Sequence, residues 1–210
     1  MKLLSATPSP YARKVRITLA EKGLAFDLVT EVPWNTGTAT PQYNPLEKIP
    51  VLILDDGTTV YESRFILEYL EIKYPDPPIF PKDGDALLAA KRLEVLADGI
   101  CDAAVLIIFE RMRPEDRRSV PWEARQRRKV EGGLKEVARL VPAAGFCVDG
   151  AFGVADIAVG TLLDYIALRL PEFDWADRYP NLVSLRERLS ERPSFQETVP
   201  QPQQIDRAVV

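Results

Sequence analysis

The sequence predicts a small α/β domain at the N-terminus followed by an all-α domain. Three observations carry this expectation. Strand-like and helix-like patterns alternate over residues 1–75. A proline-rich stretch follows at residues 76–83, with Pro75, Pro77, Pro78 and Pro81 in and beside it. Beyond it, residues 84–210 show helical periodicity and end in a polar tail.

The elements follow in order. Residues 2–5 read as a short strand. Pro10 opens a helical pattern carrying Val15, Ile17, Leu19 and Ala20, which Gly23 stops. Phe26–Val29 reads as a second strand. Residues 33–45 include Pro33, Gly37, Pro41 and Pro45, which make them loop with at most one short helix. Val51–Leu54 and Thr58–Tyr61 flank Asp55-Asp56-Gly57, the pattern of a β-hairpin. Ser63 is placed to cap a helix with Phe65, Ile66, Leu67, Tyr69, Leu70 and Tyr74, ending before Pro75. The order is β-α-β-(α)-β-β-α. The proline-rich stretch is stiff and marks the domain boundary. Further helices are expected over 84–112, 122–141, 154–169 and 181–191, punctuated by Pro114, Pro121, Pro142, Pro171 and Pro193. Residues 198–210 are polar, contain Pro200 and Pro202, and read as a loose tail.

Composition narrows the chemistry. The chain of 210 residues is 46% hydrophobic and 28% charged, ordinary for a globular protein. Its net charge of −4 gives no global basic field, so neither nucleic acid nor membrane is expected as a partner. Arg125, Arg127, Arg128 and Lys129 sit among Glu123 and Glu131 and read as a solvated helix face. Cys101 and Cys147 are far apart, which argues against a disulfide scaffold, a zinc site or a dithiol redox pair. The sequence has no histidine, which removes Ser-His-Asp and Cys-His chemistry and most zinc sites. Met1 leads directly into Lys2-Leu3-Leu4, and no apolar run is long enough to span a bilayer, so a cytoplasmic protein is expected.

Three segments carry candidate chemistry. In Thr7-Pro8-Ser9-Pro10-Tyr11-Ala12-Arg13, Ser9 and Pro10 form an N-cap and first-position pair. The same hydroxyl lies where backbone N–H groups and the helix dipole favour an anion. In Asn44-Pro45-Leu46-Glu47-Lys48-Ile49-Pro50-Val51, Pro50 precedes an apolar strand, as a plain loop proline or as a cis proline that turns the polar groups of Ile49 outward. In Val60-Tyr61-Glu62-Ser63-Arg64, Ser63 at a helix start can hold a carboxylate and Glu62 an ammonium group. The plainer alternative is a capping serine beside a solvent-facing acid.

The order Ser-Pro-Tyr-x-Arg-Lys-Val-Arg, Asn-Pro-x-x-Lys-Ile-Pro-Val-Leu, Glu-Ser, a proline-rich linker and a helical half resembles the cytosolic glutathione S-transferases. The likeness is to serine-type, bacterial members and spans nearly the whole chain. It implies a thioredoxin-like N-terminal domain and a C-terminal helical domain. It implies glutathione as co-substrate, no further cofactor and no metal. By the resemblance Ser9 is the thiol-activating hydroxyl, and Ile49 offers backbone hydrogen bonds beside a cis Pro50. Glu62 and Ser63 hold the γ-glutamyl end, and Lys48 reaches toward the glycine carboxylate. Asp98 and Asp102 lie one helical turn apart. They read either as two solvated acids or with Asp98 meeting the glutathione ammonium, as in some family members.

A cysteinyl thiol titrates near about 8.5, so only about 3% is thiolate at neutral pH. A hydroxyl donating to the thiolate contributes roughly 1.5–3 kcal/mol. A helix N-terminus contributes about 0.3–1 kcal/mol more. Together they place the bound thiol at about 6–7 with no histidine base. The electrophile is expected to be hydrophobic, with Tyr11, Trp34, Phe109, Met112 and Tyr165 as candidate pocket residues that also fit a plain core. Gly153-Val154-Ala155-Asp156 has glycine where the family often has Ser or Thr, which makes Asp156 structural. Ser9 in place of cysteine argues against thiol–disulfide exchange, and Pro8-Ser9-Pro10 lacks the doublet usual in the isomerases. Two alternatives remain: a glutathione-dependent isomerase, dehalogenase or ether-cleaving enzyme, and a non-catalytic glutathione-binding or regulatory protein. A homodimer is expected, with Ile100, Val105, Leu106 and Ile108 as its apolar surface.

Overall fold

The computed structural model describes residues 1–205. It forms two compact units. The first spans Met1–Ile79 and is rejoined by residues 193–205, and the second begins at Phe80 and runs to Arg192.

The first unit contains β1 (Lys2–Ser5), α1 (Pro10–Glu21), β2 (Asp27–Thr30), α2 (Thr40–Tyr43), β3 (Val51–Ile53), β4 (Thr59–Val60) and α3 (Ser63–Lys73). The strand order is β2-β1-β3-β4. β1 and β2 are parallel, joined through α1, and the other pairs are antiparallel. This is the thioredoxin-like arrangement that the resemblance implies. Leu3, Leu4, Val51 and Leu52 of the sheet are buried with Val15, Leu19, Ile66, Leu67 and Leu70 of the two longer helices. Their spacing on α1 and α3 gives each helix one apolar face. The hairpin strands are shorter than the apolar runs suggest. Leu54 donates to the Thr58 carbonyl at 2.9 Å, so both residues serve the turn, with Gly57 at φ 85.

Two long-range braces complete this unit. Lys22 is buried, and its Nζ lies 2.8 Å from Glu71 Oε2 and from the carbonyls of Tyr74 and Pro77. One ammonium thus ties the end of α1 to the end of α3 and to the proline-rich stretch. The second brace is the returning chain. A short helix, α9 (Pro193–Gln196), packs on α1. Arg13, 2% exposed, donates to Thr198 Oγ1 at 3.2 Å and to the Phe195 carbonyl at 3.3 Å, and lies over the Phe195 ring. Thr198, where the sequence suggested a loose tail, is buried. The part of that tail at 206–210 lies outside the described residues.

The second unit contains α4 (Gly84–Met112), a 3-10 turn at Glu115–Arg117, α5 (Val120–Leu140), α6 (Val154–Arg169), α7 (Trp175–Arg178) and α8 (Pro180–Ser190). α4 packs on α5 and α6, and α6 on α8. α6 is apolar nearly all round and buried along most of its length, as a central helix must be. Its N-terminus is held as the sequence suggested. Asp156, 1% exposed, accepts from Gly153 N–H at 3.0 Å and from Cys147 N–H at 2.8 Å. Burial raises the Asp156 carboxyl above its usual range despite these donors. α4 and α5 approach closely at Gly133, where a Cβ would collide with the Ile100 side chain. Ile100 is therefore core, 3% exposed, and not part of an outer apolar surface. The exposed apolar residues of α4 are Leu88, Val95 and Leu106. Cys101 and Cys147 are both buried and unpaired by disulfide, and burial pushes the Cys147 thiol far up. Among the described residues no helix is long and apolar enough to cross a membrane.

Candidate functional site

The strand register fixes where the polar segments fall. β1 pairs Leu4 with Val51, so its C-terminal end lies beside the start of β3. β3 pairs Leu52 with Val60, so β4 ends at the same edge. Three segments therefore meet one end of the sheet. They are the loop after β1 that holds Ser9, the loop before β3 that holds Lys48, Ile49 and Pro50, and the turn after β4 that holds Glu62 and Ser63.

Ser9 is the N-cap of α1. Its Oγ accepts from Ala12 N–H at 3.2 Å, and Pro10 takes the first helical position. Capping uses an oxygen lone pair and leaves the hydroxyl proton available to an acceptor. Ser9 is half-buried, so a ligand atom can reach it.

The Ile49–Pro50 peptide is cis. Asn44, 1% exposed, braces this loop from beneath. Its Nδ2 donates to the Lys48 carbonyl at 2.8 Å, and its Oδ1 accepts from Leu46 N–H at 2.9 Å. Glu47 has φ 54, in the left-handed region, so the chain turns sharply just before Lys48 and Ile49. Lys48 is exposed and Ile49 half-buried. Nothing local in the sequence assigns this bracing task to Asn44. The Asn-Pro pair, a turn signal, was the available clue.

At the third segment the capping role differs from the sequence expectation. Glu62, not Ser63, caps α3, with Oε1 accepting from Arg64 N–H at 3.1 Å and Phe65 N–H at 3.3 Å. A carboxylate there satisfies two orphan donors and suits the helix dipole. Glu62 is exposed, which leaves Oε2 open to a donor from outside. Ser63 becomes the first helical residue. It is 1% exposed, and its Oγ is buried without a hydrogen-bond partner among the described residues. Two helix N-termini, those of α1 and α3, thus stand at one sheet edge, each with a hydroxyl residue in its first turn or at its cap. Such an edge attracts anionic groups.

The returning chain also reaches this edge. Gln201 N–H donates to the Thr7 carbonyl at 3.4 Å, two residues before Ser9. Arg16 donates to the Glu197 carbonyl at 3.2 Å, and its guanidinium is held below its usual range by burial and by Arg13. Of the remaining candidates, Tyr11 is half-buried and Trp34 exposed in the first unit. Asp98, Phe109, Met112 and Tyr165 belong to the second unit. Asp98 is buried and Asp102 exposed, which separates the two acids. Phe109 and Met112 are half-buried. Tyr165 is a core residue, and burial raises its phenol well above the usual range.

A sheet of this order with a cis-proline loop and a capped helix start at one edge defines a thioredoxin-like domain. Comparison with known proteins agrees. Residues 8–72 match the family model of the glutathione S-transferase N-terminal domain, and residues 120–188 match that of the C-terminal domain. The chain is 35% identical over 205 residues to an uncharacterized GST-like protein, YibF, of Escherichia coli K12, covering 95% of this chain and 98% of that one. A glutathione S-transferase from Methylobacterium radiotolerans, solved in complex with glutathione sulfonate, is 60% identical with a TM-score of 0.95. That match covers 97% of this chain and 96% of the other. A second, from Methylobacillus flagellatus with glutathione bound, is 42% identical with a TM-score of 0.91, covering 95% and 99%. The chain belongs to the glutathione S-transferase family.

Asn44→Ala tests how the Pro50 loop is held. Losing both bonds costs roughly 1–3 kcal/mol, so the melting temperature falls. Amide exchange should quicken over residues 44–50 more than in the β3–β4 hairpin. Unchanged exchange in that loop would show that Asn44 is not its brace.

Proposed function

We propose that this protein is a glutathione transferase in which Ser9 stabilises the glutathione thiolate for attack on a hydrophobic electrophile. The observation that carries the reading is the meeting of Ser9, the cis Ile49–Pro50 loop and the Glu62-Ser63 helix start at one sheet edge. Relatives with glutathione or its sulfonate bound support it. The Ser9 hydroxyl donates to the thiolate sulfur while its oxygen keeps the α1 cap. The main chain of Ile49 pairs with the cysteinyl unit, and Pro50 holds it outward. Glu62 Oε2 accepts from the γ-glutamyl ammonium, and the α3 N-terminus with Ser63 receives the carboxylate. Lys48 reaches the glycine carboxylate. Asp98 adds negative charge for the ammonium. Ser9 is thus a donor to a nucleophile and is not itself one. The thiolate carbon–sulfur bond forms as the electrophile's leaving group departs or its double bond accepts the pair. Tyr11, Trp34, Phe109, Met112 and Tyr165 are the residues proposed to meet the electrophile. Glutathione is co-substrate, and the site needs no other cofactor. The protein acts in the cytoplasm.

We also assign a homodimer. Leu88, Val95 and Leu106 lie along one exposed stripe of α4, and Phe65 and Ile72 are exposed on α3. An exposed apolar stripe on a long helix suits an interface, and a symmetric pair is the commonest way to cover it. Sedimentation at micromolar concentration should give twice the 23.6 kDa chain mass. A species of single-chain mass alone would remove the assignment.

Ser9→Ala tests the catalytic role. Ultraviolet titration of bound glutathione should show the thiol pKa rising by about one to two units as the donated hydrogen bond is lost. Turnover of an activated aryl halide at neutral pH should fall with it. The lost cap costs about 0.5–2 kcal/mol of stability, so melting is followed in parallel. An unchanged thiol pKa would exclude Ser9. Tight glutathione binding with no turnover of any electrophile in wild type would favour the non-catalytic reading.

A further inference from the structure

Ser9 is bracketed along the chain by contacts with one stretch of the returning C-terminal segment. Its main chain is tied twice. The Ser9 N–H donates to the Ala6 carbonyl at 3.1 Å, and the Ser9 carbonyl accepts from Arg13 N–H at 3.0 Å. Both ties lead to residues 195–201. Arg13 closes the first turn of α1, and its side chain donates from Nε to Thr198 Oγ1 at 3.2 Å and from Nη2 to the Phe195 carbonyl at 3.3 Å. Thr7, next to Ala6, accepts at its carbonyl from Gln201 N–H at 3.4 Å, a longer and weaker bond. Arg16, further along α1, donates to the Glu197 carbonyl at 3.2 Å.

The contact of Arg13 with Thr198 is the firmest of these. Arg13 is 2% exposed and Thr198 5%. Thr198 Oγ1 donates to the Ser194 carbonyl at 2.7 Å, which commits its proton and leaves its lone pairs to the guanidinium. The Phe195 ring centre lies 5.3 Å from the same guanidinium. A charge buried this deeply is costly without its acceptors, so the contact resists opening. Helix formation alone does not call for it. The Ser9 cap and Pro10 already start α1.

What the contact adds is rigidity at the cap. Helix ends open locally at low cost, and Ser9 Oγ is held in α1 by one bond, from Ala12 N–H at 3.2 Å. A hydroxyl stabilises an anion only when it is held at about 2.7–3.1 Å from it. That precision comes from the groups around the donor as much as from the donor itself. We infer that Arg13 and Thr198 position the Ser9 hydroxyl, their contact holding the first turn of α1 so that Oγ stays directed at the sulfur of bound glutathione. The inference rests on the reading of Ser9 as donor to the thiolate. Arg13 and Thr198 act through Ser9 and are positioning residues.

The test is ultraviolet titration of glutathione bound to Thr198→Val, which loses the hydroxyl, keeps the shape and leaves the Arg13 charge in place. The bound thiol pKa should rise by about 0.5–1 unit, part of the rise expected for Ser9→Ala. Turnover of an activated aryl halide at neutral pH should fall about three- to tenfold with it. Affinity for glutathione should change little, because Lys48, Ile49, Glu62 and Ser63 are untouched. Thr198→Ser restores the acceptor and should behave as wild type. In a Ser9→Ala background Thr198→Val should leave the thiol pKa where Ser9→Ala put it, since the group it positions is gone. A lower melting temperature with an unchanged thiol pKa would make the contact a structural brace only and overturn the inference. A further rise in the Ser9→Ala background would overturn it too. If Ser9→Ala itself leaves the thiol pKa unchanged, the thiolate reading fails and this inference with it. If Ser9→Ala raises the pKa and Thr198→Val does not, this inference fails alone.

Discussion

Strand β1 hydrogen-bonds on both sides, parallel to β2 and antiparallel to β3, and this pairing decides where three polar segments meet. The side-chain period of a strand is two, so a slip of one residue would exchange the faces of Leu3 and Leu4 and carry exposed Lys2 into a buried place. Leu3 and Leu4 are both buried, which holds the register against such a slip. With the register held, β3 must begin and β4 must end at the edge where β1 ends. The segments carrying Ser9, Pro50 and Glu62 then have no other place to go. The site is a consequence of strand direction before it is a matter of any single side chain.

The proposed thiolate chemistry needs no histidine, because hydrogen-bond donors at such an edge stabilise an anion instead of a base removing its proton. The first N–H groups of α1 and α3 have no partners within their own helices. Ser9 and Glu62 each satisfy part of that demand and keep something in reserve. Ser9 accepts from Ala12 and retains a proton to give. Glu62 caps through Oε1, and Oε2 remains open to a donor. Each cap therefore keeps an atom for the proposed ligand role, so the structural and functional readings of these residues do not compete.

What was legible in the sequence was local. Ser9-Pro10 announced a helix start, Asp55-Asp56-Gly57 a hairpin, and Pro75 the end of α3, because each rests on near-neighbour backbone chemistry. The bounds of α4 and α6 followed from helical patterns set off by prolines, and the burial of α6 from the family resemblance. Assigning the α3 cap to Ser63 was one residue late, because Glu62 also accepts well at a helix start and reaches two N–H groups. What could not be read depends on distance along the chain. Lys22 meets Pro77 across 55 residues, and Arg13 meets Thr198 across 185. No local pattern marks either pair. For the same reason Ile100 read as outer surface, when Gly133 of α5 leaves the space that receives it.

The proposed glutathione site depends on Glu62 recognising the γ-glutamyl head group, and calorimetry on Glu62→Gln with two ligands tests that directly. The glutamine carbonyl can still cap α3, so the fold is kept and only the charge is lost. A charged hydrogen bond of this kind is worth about 1.5–3 kcal/mol. Affinity for glutathione should therefore fall roughly ten- to hundredfold, while cysteinylglycine, which lacks the γ-glutamyl unit, should bind wild type and variant alike. Equal losses for both ligands would mean that Glu62 acts through the fold and not on the head group, and would contradict the glutathione site described above.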